Sequence, residues 1–167
     1  MVRMGEYRVS RTAGEQLITI GLGSCIGLAL IDRDRDIAGL AHIVLPDSKD
    51  AASGAIAQPT KFADTAVPKM LDELARMGAR RSGLVAVLVG GAQMFSFGSG
   101  GKSTLDIGRR NEAATREALN AAKIPVMANA TGGTKGRTVV VHVAGGMVTV
   151  KEAGGTESEL WRAGRTR

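Results

Sequence analysis

Two short apolar segments joined by a charged turn constrain the fold of this chain more than any other feature. Residues 26–31 are apolar except for one glycine, and residues 37–44 follow after the run DRDRD and end before Pro46. Continuous apolar runs of this length, bounded by turn residues, are typical of buried strands. A connection this short joins antiparallel neighbours. The sequence therefore predicts a buried antiparallel hairpin.

The rest of the chain predicts further strands and two helices. Strand-like segments lie at residues 6–9, 17–20, 83–90, 125–129, 137–143 and 147–151, and helical spacing of apolar residues covers 61–77 and about 109–122. This order favours a layered α/β or α+β fold built on sheets. A length of 167 residues is enough for one domain with a true core. We expect a single domain over residues 1–152, followed by a basic, flexible tail over 153–167.

Composition limits the compartment and the partners. A single cysteine excludes an internal disulfide and suits a reducing compartment. No apolar run approaches the ~18 residues of a membrane helix, so we expect a cytoplasmic protein without membrane insertion. The net charge of +6 is compatible with an acidic partner or with nucleic acid. The basic residues are scattered, however, and only 3% of the residues are aromatic, which argues against nucleic-acid binding.

Two glycine-rich segments superficially match nucleotide-binding loops. GLGSCIG places its glycines at 21, 23 and 27, which is not the G-x-G-x-x-G spacing, and the segment after it has the pattern of a strand. SFGSGGKS (residues 96–103) has serine where a Walker A loop begins with glycine, and no long helix follows its Lys-Ser pair. We interpret both segments as turns.

Cys25, the only cysteine, lies between a glycine-containing bend at residues 21–24 and the first strand of the hairpin. The hairpin places His42, near the end of the second strand, at the same end of the sheet. An imidazole beside a thiol stabilises the thiolate. Thr19, on the preceding strand, is placed to fix the tautomer of that ring. These three residues predict a cysteine hydrolase.

Each of these residues also has a structural interpretation. A lone cysteine is more often a core residue than a nucleophile, and a histidine at a strand end is often only a structural residue. The backbone N–H groups near Gly23 and Ser24 favour the hydrolase, because they are candidates for an oxyanion hole. The other histidine, His142, lies among valines in VVVHV, where a structural role is the simpler interpretation.

Two histidines and one cysteine are too few for a metal site, and we predict neither a metal nor another cofactor. The segment TGGTKGR (residues 131–137) opens a predicted strand. It is either a hairpin connection or one wall of a groove, in which backbone amides near Gly133 and the side chain of Arg137 receive a polar group. The sequence leaves both interpretations open.

Six ordered motifs resemble those of the CheD family, the chemoreceptor glutamine deamidases of bacterial and archaeal chemotaxis. They are TIGLGSC (19–25), AGLAHIVLP (38–46), KFAD (61–64), LVGGAQMF (88–95), IGRRN (107–111) and GGTKGR (132–137). The resemblance extends over roughly residues 6–150. One departure is Phe62, where the family often carries tyrosine; the change removes a hydrogen-bonding group but leaves helix packing intact.

The resemblance implies a layered β-sandwich of mixed sheets flanked by helices. It implies a nucleophile at Cys25, a base at His42 and an orienting hydroxyl at Thr19. The implied activity is hydrolysis of selected glutamine side chains to glutamate, with release of ammonia, on the cytoplasmic helical domain of methyl-accepting chemoreceptors during adaptation. It also implies an alternative, a regulatory partner of a CheC-type phosphatase that acts on phosphorylated CheY, with or without deamidase activity. A third hypothesis is a pure binding module in which Cys25 is structural.

Overall fold

The computed structural model describes residues 1–51, 58–93 and 107–164. Nine strands and two α-helices lie within these residues. The strands are β1 (Tyr7–Ser10), β2 (Gln16–Leu22), β3 (Ile26–Asp32), β4 (Ile37–Ile43), β5 (Leu84–Gly90), β6 (Val126–Thr131), β7 (Arg137–His142), β8 (Met147–Glu152) and β9 (Ser158–Arg162); the helices are α1 (Ala63–Arg76) and α2 (Ile107–Ala121). Strands β3 and β4 pair antiparallel over their whole length, which confirms the predicted hairpin.

The strands form two stacked sheets. The five-stranded sheet has the order β1-β4-β3-β5-β6 and is antiparallel except for the β5–β6 pair. That pair is parallel because the chain crosses back through α2 before it enters β6. The four-stranded sheet has the order β2-β7-β8-β9 and is antiparallel throughout. The predicted single-domain β-sandwich with flanking helices is confirmed.

Strand β3 shows how the layers are held together. Every residue of the strand is buried, and alternate side chains face opposite sides of the sheet. Leu28 packs in a core that includes Met70 of α1. Ala29 and Ile31 belong instead to the core between the two sheets, with Val139 of β7. Burial on both faces explains why this segment is continuously apolar rather than alternating.

The end of the chain differs from the sequence prediction. Residues 158–162, which we expected to lie in a flexible tail, form β9 and pair with β8. Leu160 and Trp161 pack against the core between the sheets, so two apolar side chains hold this otherwise polar edge strand. The predicted turn at residues 96–103 and the last three residues lie outside the described residues. Within the described ranges, no helix is long and apolar enough to cross a membrane.

Candidate active site

His42 lies near the end of β4, where the two residues that precede β1 bind its backbone. Its N–H donates to the carbonyl of Glu6 at 2.9 Å, and its carbonyl accepts from the N–H of Gly5 at 2.9 Å. Across the hairpin His42 is paired with Gly27 of β3. The residue is only 3% exposed. The imidazole is therefore a buried group at one end of the five-stranded sheet.

Gly27 allows the two sheets to approach each other beside His42. A Cβ at this position would lie 2.8 Å from Leu22 Cδ1, 3.0 Å from Val139 Cγ1 and 3.4 Å from Thr19 Cγ2. All three atoms belong to the four-stranded sheet, so this face of β3 is directed at that sheet. Directly opposite residues share a face, and His42 is therefore directed there too. Sequence reasoning gives Gly27 no role, although a glycine inside an apolar strand often marks a close approach.

Thr19 of β2 contacts the ring of His42. Its Oγ1 lies 2.7 Å from Nδ1, and both side chains are buried. The predicted proximity of these two residues is therefore present. A hydrogen bond at Nδ1 leaves Nε2 as the ring nitrogen that is open to other chemistry. Nε2 is buried and has no hydrogen-bond partner within the described part of the chain.

Cys25 lies immediately before β3 and is half-buried. It precedes Gly27 by two residues, so its side chain is on the same face of the sheet as His42, and it packs against the core between the sheets. Such diagonal neighbours on adjacent strands are roughly 7–8 Å apart, within reach of long side chains. Among the described residues no hydrogen bond joins the thiol to Nε2 of His42. The structure thus brings Thr19, Cys25 and His42 to one end of the sandwich, with the Thr19–His42 contact made and the Cys25–His42 contact open.

The loop before β3, residues 23–25, is fixed by hydrogen bonds that its carbonyl groups accept. The carbonyls of Gly23 and Cys25 accept hydrogen bonds from backbone N–H groups of the segment after β5, at 2.7 and 2.8 Å. The carbonyl of Ser24 accepts from Nδ2 of Asn111 at 2.9 Å. In a trans peptide the N–H is directed opposite to the C=O, so the N–H groups of Ser24 and Cys25 are directed away from these partners. Neither donates a hydrogen bond to another described residue.

Burial changes the ionisation of both reactive groups. It raises the pKa of the Cys25 thiol and lowers the pKa of the His42 imidazole. Both shifts favour the uncharged form, because burial penalises charge. The resting pair is therefore a neutral thiol and a neutral imidazole at neutral pH. Such a pair can react by general-base removal of the thiol proton.

Arg137 lies buried at the start of β7, with its guanidinium bound on two sides. Nη1 donates to the carbonyls of Gly132 at 2.7 Å and Gly90 at 3.4 Å. Nε and Nη2 donate to Glu152 Oε1 at 3.2 and 2.8 Å. The carbonyl of Gly133 accepts from the backbone of the segment after β5 at 2.8 Å. These contacts fix the β6–β7 turn beside the end of β5; the groove role of Gly133 and Arg137 stays a prediction.

His142 does not belong to this site. It pairs with Gln16 at the far end of β2 from Leu22, and its Nδ1 lies 3.3 Å from Gln16 Nε2. Its neighbour Val141 faces the core between the sheets, so His142 is on the outer face of the four-stranded sheet. Of the two histidines, His42 is therefore the one that lies near Cys25.

Comparison with known proteins gives the site a family context. The family model described as CheD chemotactic sensory transduction matches residues 44–152. The chain belongs to the CheD family. It is 43% identical over 153 residues to the "Probable chemoreceptor glutamine deamidase CheD" of Desulforamulus reducens, a match that covers 92% of this chain and 90% of that protein. It is 44% identical over 140 residues to the protein of the same name from Clostridium botulinum strain Hall, with coverage of 84% and 85%.

The CheD family model covers part of the candidate site, and the match to the Desulforamulus relative covers all of it. The region matched to the family model begins two residues after His42, so it includes Asn111 and Arg137 but not Thr19 or Cys25. The match to the Desulforamulus CheD is long enough to include all of them. The residues of the candidate site come from both halves of the chain.

Proposed function

We propose that this chain is a chemoreceptor glutamine deamidase in which Cys25 is the nucleophile and His42 the base. The observation that carries the proposal is the buried 2.7 Å contact between Thr19 Oγ1 and His42 Nδ1, at the end of the sandwich where the only cysteine lies. A ring held at Nδ1, with Nε2 free of hydrogen-bond partners among the described residues, is the arrangement that a general base requires. The names of the two relatives supply the substrate class.

The first half-reaction forms a thioester. Cys25 Sγ attacks the carboxamide carbon of a glutamine side chain, while the thiol proton passes to His42 Nε2. The open Cys25–His42 contact closes as substrate binds, since catalytic hydrogen bonds are often long in free enzymes. His42 then donates the proton to the departing nitrogen, the C–N bond breaks and ammonia leaves. The product is a glutamyl thioester on Cys25.

The second half-reaction uses water in place of ammonia. Water attacks the thioester carbon and gives a proton to Nε2 of His42. The C–S bond breaks, the sulfur takes the proton back from His42, and the side chain is released as a carboxylic acid, which gives the second proton of the water to solvent and becomes glutamate. The enzyme returns to the neutral thiol and imidazole, so no cofactor is needed to balance the reaction.

Two backbone N–H groups are the donors that we assign to the oxyanion of both tetrahedral intermediates. They belong to Ser24 and Cys25, and their peptide groups are fixed through the carbonyls of Gly23 and Ser24. A fixed donor of this kind is typically worth ~2.7–4 kcal/mol of transition-state stabilisation. Because the carbonyl partners are in place without substrate, little reorganisation is needed when the charge develops.

Thr19 acts when His42 carries the extra proton. In the imidazolium both ring nitrogens are donors, so Nδ1–H must find an acceptor, and Thr19 Oγ1 lies 2.7 Å away. Burial makes the imidazolium costly, and this cost lowers the pKa of His42. The threonine hydroxyl offsets part of that cost.

The rim of the site suits a glutamine presented by a helix. Among the described residues, Gly21 and Gly133 are exposed and Gly132 is half-buried, so these three positions carry no side chain that would obstruct a helix. We expect a chemoreceptor helix to approach the half-buried Cys25 from this side, with one glutamine side chain reaching the thiol. The net charge of +6 favours encounter with an acidic helical surface. The contacts within the described residues do not single out phosphatase binding, so the CheC-type partner stays a prediction of the family resemblance.

Deamidation of a purified chemoreceptor cytoplasmic domain, followed by mass spectrometry of its peptides, tests the proposal. Wild-type protein should convert specific glutamines to glutamate, and Cys25→Ala and His42→Ala should not. His142→Ala is the matched control, because this second histidine lies on the outer face of the sandwich, and it should keep full activity. Equal conversion by wild type and Cys25→Ala would show that the proposed mechanism is wrong.

A further inference from the structure

Asn111 is a buried polar residue that the proposed mechanism does not use. It lies in the first turns of α2, within the IGRRN segment, and is 0% exposed. Its Nδ2 donates two hydrogen bonds, to the carbonyl of Ser24 at 2.9 Å and to the carbonyl of Val44 at 2.9 Å. An amide nitrogen has two protons, so both are used. Since both neighbours are carbonyl oxygens, the nitrogen must be on this side of the carboxamide.

The two acceptors belong to the two segments that carry the reactive groups. Ser24 precedes Cys25, and its carbonyl is in the same peptide group as the Cys25 N–H, one of the assigned oxyanion donors. Val44 follows His42 by two residues, just beyond the end of β4. One side chain therefore connects the nucleophile loop to the strand of the base. These bonds span 87 and 67 residues of sequence.

The approach of α2 to the loop explains how Asn111 reaches both carbonyls. Gly108 is three residues earlier and thus on the same side of the helix. A Cβ at Gly108 would lie 2.6 Å from the carbonyl oxygen of Gly91, so the first turn of α2 rests directly on the segment after β5. The N–H of Gly91 in turn donates to the carbonyl of Cys25 at 2.8 Å. The helix and this segment together hold the peptide groups on both sides of Cys25.

We propose that Asn111 is a positioning residue, which sets the separation of Cys25 and His42 and the direction of the Cys25 N–H. This inference rests on the proposed function, because it assigns Asn111 a role in the same reaction. Asn111 acts through backbone carbonyls and contacts neither substrate nor the reacting atoms. Its loss should therefore reduce kcat and leave KM nearly unchanged.

The test compares Asn111→Ala with a core control on the same helix. Leu119 is fully buried in α2 and belongs to the core between the helices and the five-stranded sheet. Asn111→Ala should lower kcat for receptor deamidation by about 10- to 100-fold with KM within about twofold, as small misplacements of reacting groups do. Leu119→Ala should keep the wild-type kcat at temperatures below its own thermal unfolding midpoint. Asn111→Ser, which keeps one donor, replaces the alanine variant if that variant does not fold, and should show a smaller loss.

A second measurement reports the positioning without turnover. Cys25 is the only cysteine, so iodoacetamide labels it alone, and the pH midpoint of the alkylation rate reports how deeply the thiol is held in the site, because burial raises its pKa. The midpoint in Asn111→Ala should fall toward the ordinary thiol value of about 8.5, because the loop that carries Cys25 loses its bond to α2, whereas the midpoint of Leu119→Ala should match wild type. A wild-type midpoint and a wild-type kcat in Asn111→Ala would overturn the inference. Activity in Cys25→Ala would overturn the proposed function instead, which keeps the two failures distinguishable.

Discussion

Replacing Thr19 with valine tests the contact on which the proposed mechanism depends. Valine keeps the branched shape of threonine but removes the hydroxyl that lies 2.7 Å from His42 Nδ1. In the transition state His42 carries a positive charge, and a hydrogen bond contributes about 1.5–3 kcal/mol to a charged group but about 0.5–1.5 kcal/mol to a neutral one. Only the difference of about 1–1.5 kcal/mol lowers the barrier, and about 1.4 kcal/mol corresponds to a tenfold change in rate, so Thr19→Val should lower kcat by about 5- to 13-fold.

The assay is single-turnover deamidation of a chemoreceptor cytoplasmic domain, with the product quantified by mass spectrometry. Thr19→Ser retains the hydroxyl and should keep most of the wild-type rate. Thr19→Val also leaves Nδ1 buried without its partner, at a cost of about 1–3 kcal/mol in unfolding free energy, so urea denaturation must show that the variant is folded during the assay. A folded Thr19→Val variant with the wild-type rate would refute the role assigned to this hydroxyl.

Three further predictions follow from the same geometry. Gly27→Ala should reduce deamidation by more than the loss of folded protein explains, because the new Cβ would displace Leu22 and Val139 of the sheet that also carries Thr19; wild-type kcat in the folded variant would contradict this. The acid limb of kcat/KM should have its midpoint below about 6.5, the ordinary value for histidine, because burial lowers the pKa of His42; a midpoint above that value would contradict the assignment of His42 as base. Burial raises the pKa of the Cys25 thiol, so as pH rises the thiol ionises in the unfolded chain before it ionises in the folded protein. The free energy of unfolding therefore keeps the full contribution of this group below the unfolded pKa of about 8.5, and it loses that contribution as pH rises through the folded pKa. Urea denaturation should show this alkaline loss in wild type and not in Cys25→Ala, and identical pH dependence in the two proteins would argue against it.

The hairpin and the histidine within it were predictable because they depend on local pattern. The β3 and β4 segments are continuously apolar since the sheet is buried on both faces, and a short charged turn fixes their antiparallel pairing. That pairing alone brings Cys25 and His42 to one end of the sheet. Thr19 was identified from the preceding strand, and its contact with His42 is made.

The positions that sequence reasoning missed depend on distant packing. Gly27 is a glycine because side chains of the four-stranded sheet occupy the space of its Cβ, and Asn111 bonds to carbonyls 87 and 67 residues away. The bonds of Asn111 leave no local pattern, and a glycine within an apolar strand indicates a close approach but not which distant side chains make it. Strand β9 was missed for a similar reason, because an edge strand with one covered face needs few apolar residues, here Leu160 and Trp161.

Trapping of the thioester tests the central claim most directly. In the presence of excess hydroxylamine, a glutamyl thioester on Cys25 is cleaved to the hydroxamate as well as to glutamate, since both nucleophiles compete for the same acyl group. The proposed mechanism predicts receptor hydroxamates at the same glutamines that are otherwise deamidated, and none with Cys25→Ala. Formation of glutamate alone, at an undiminished rate and whatever the hydroxylamine concentration, would contradict covalent catalysis by Cys25.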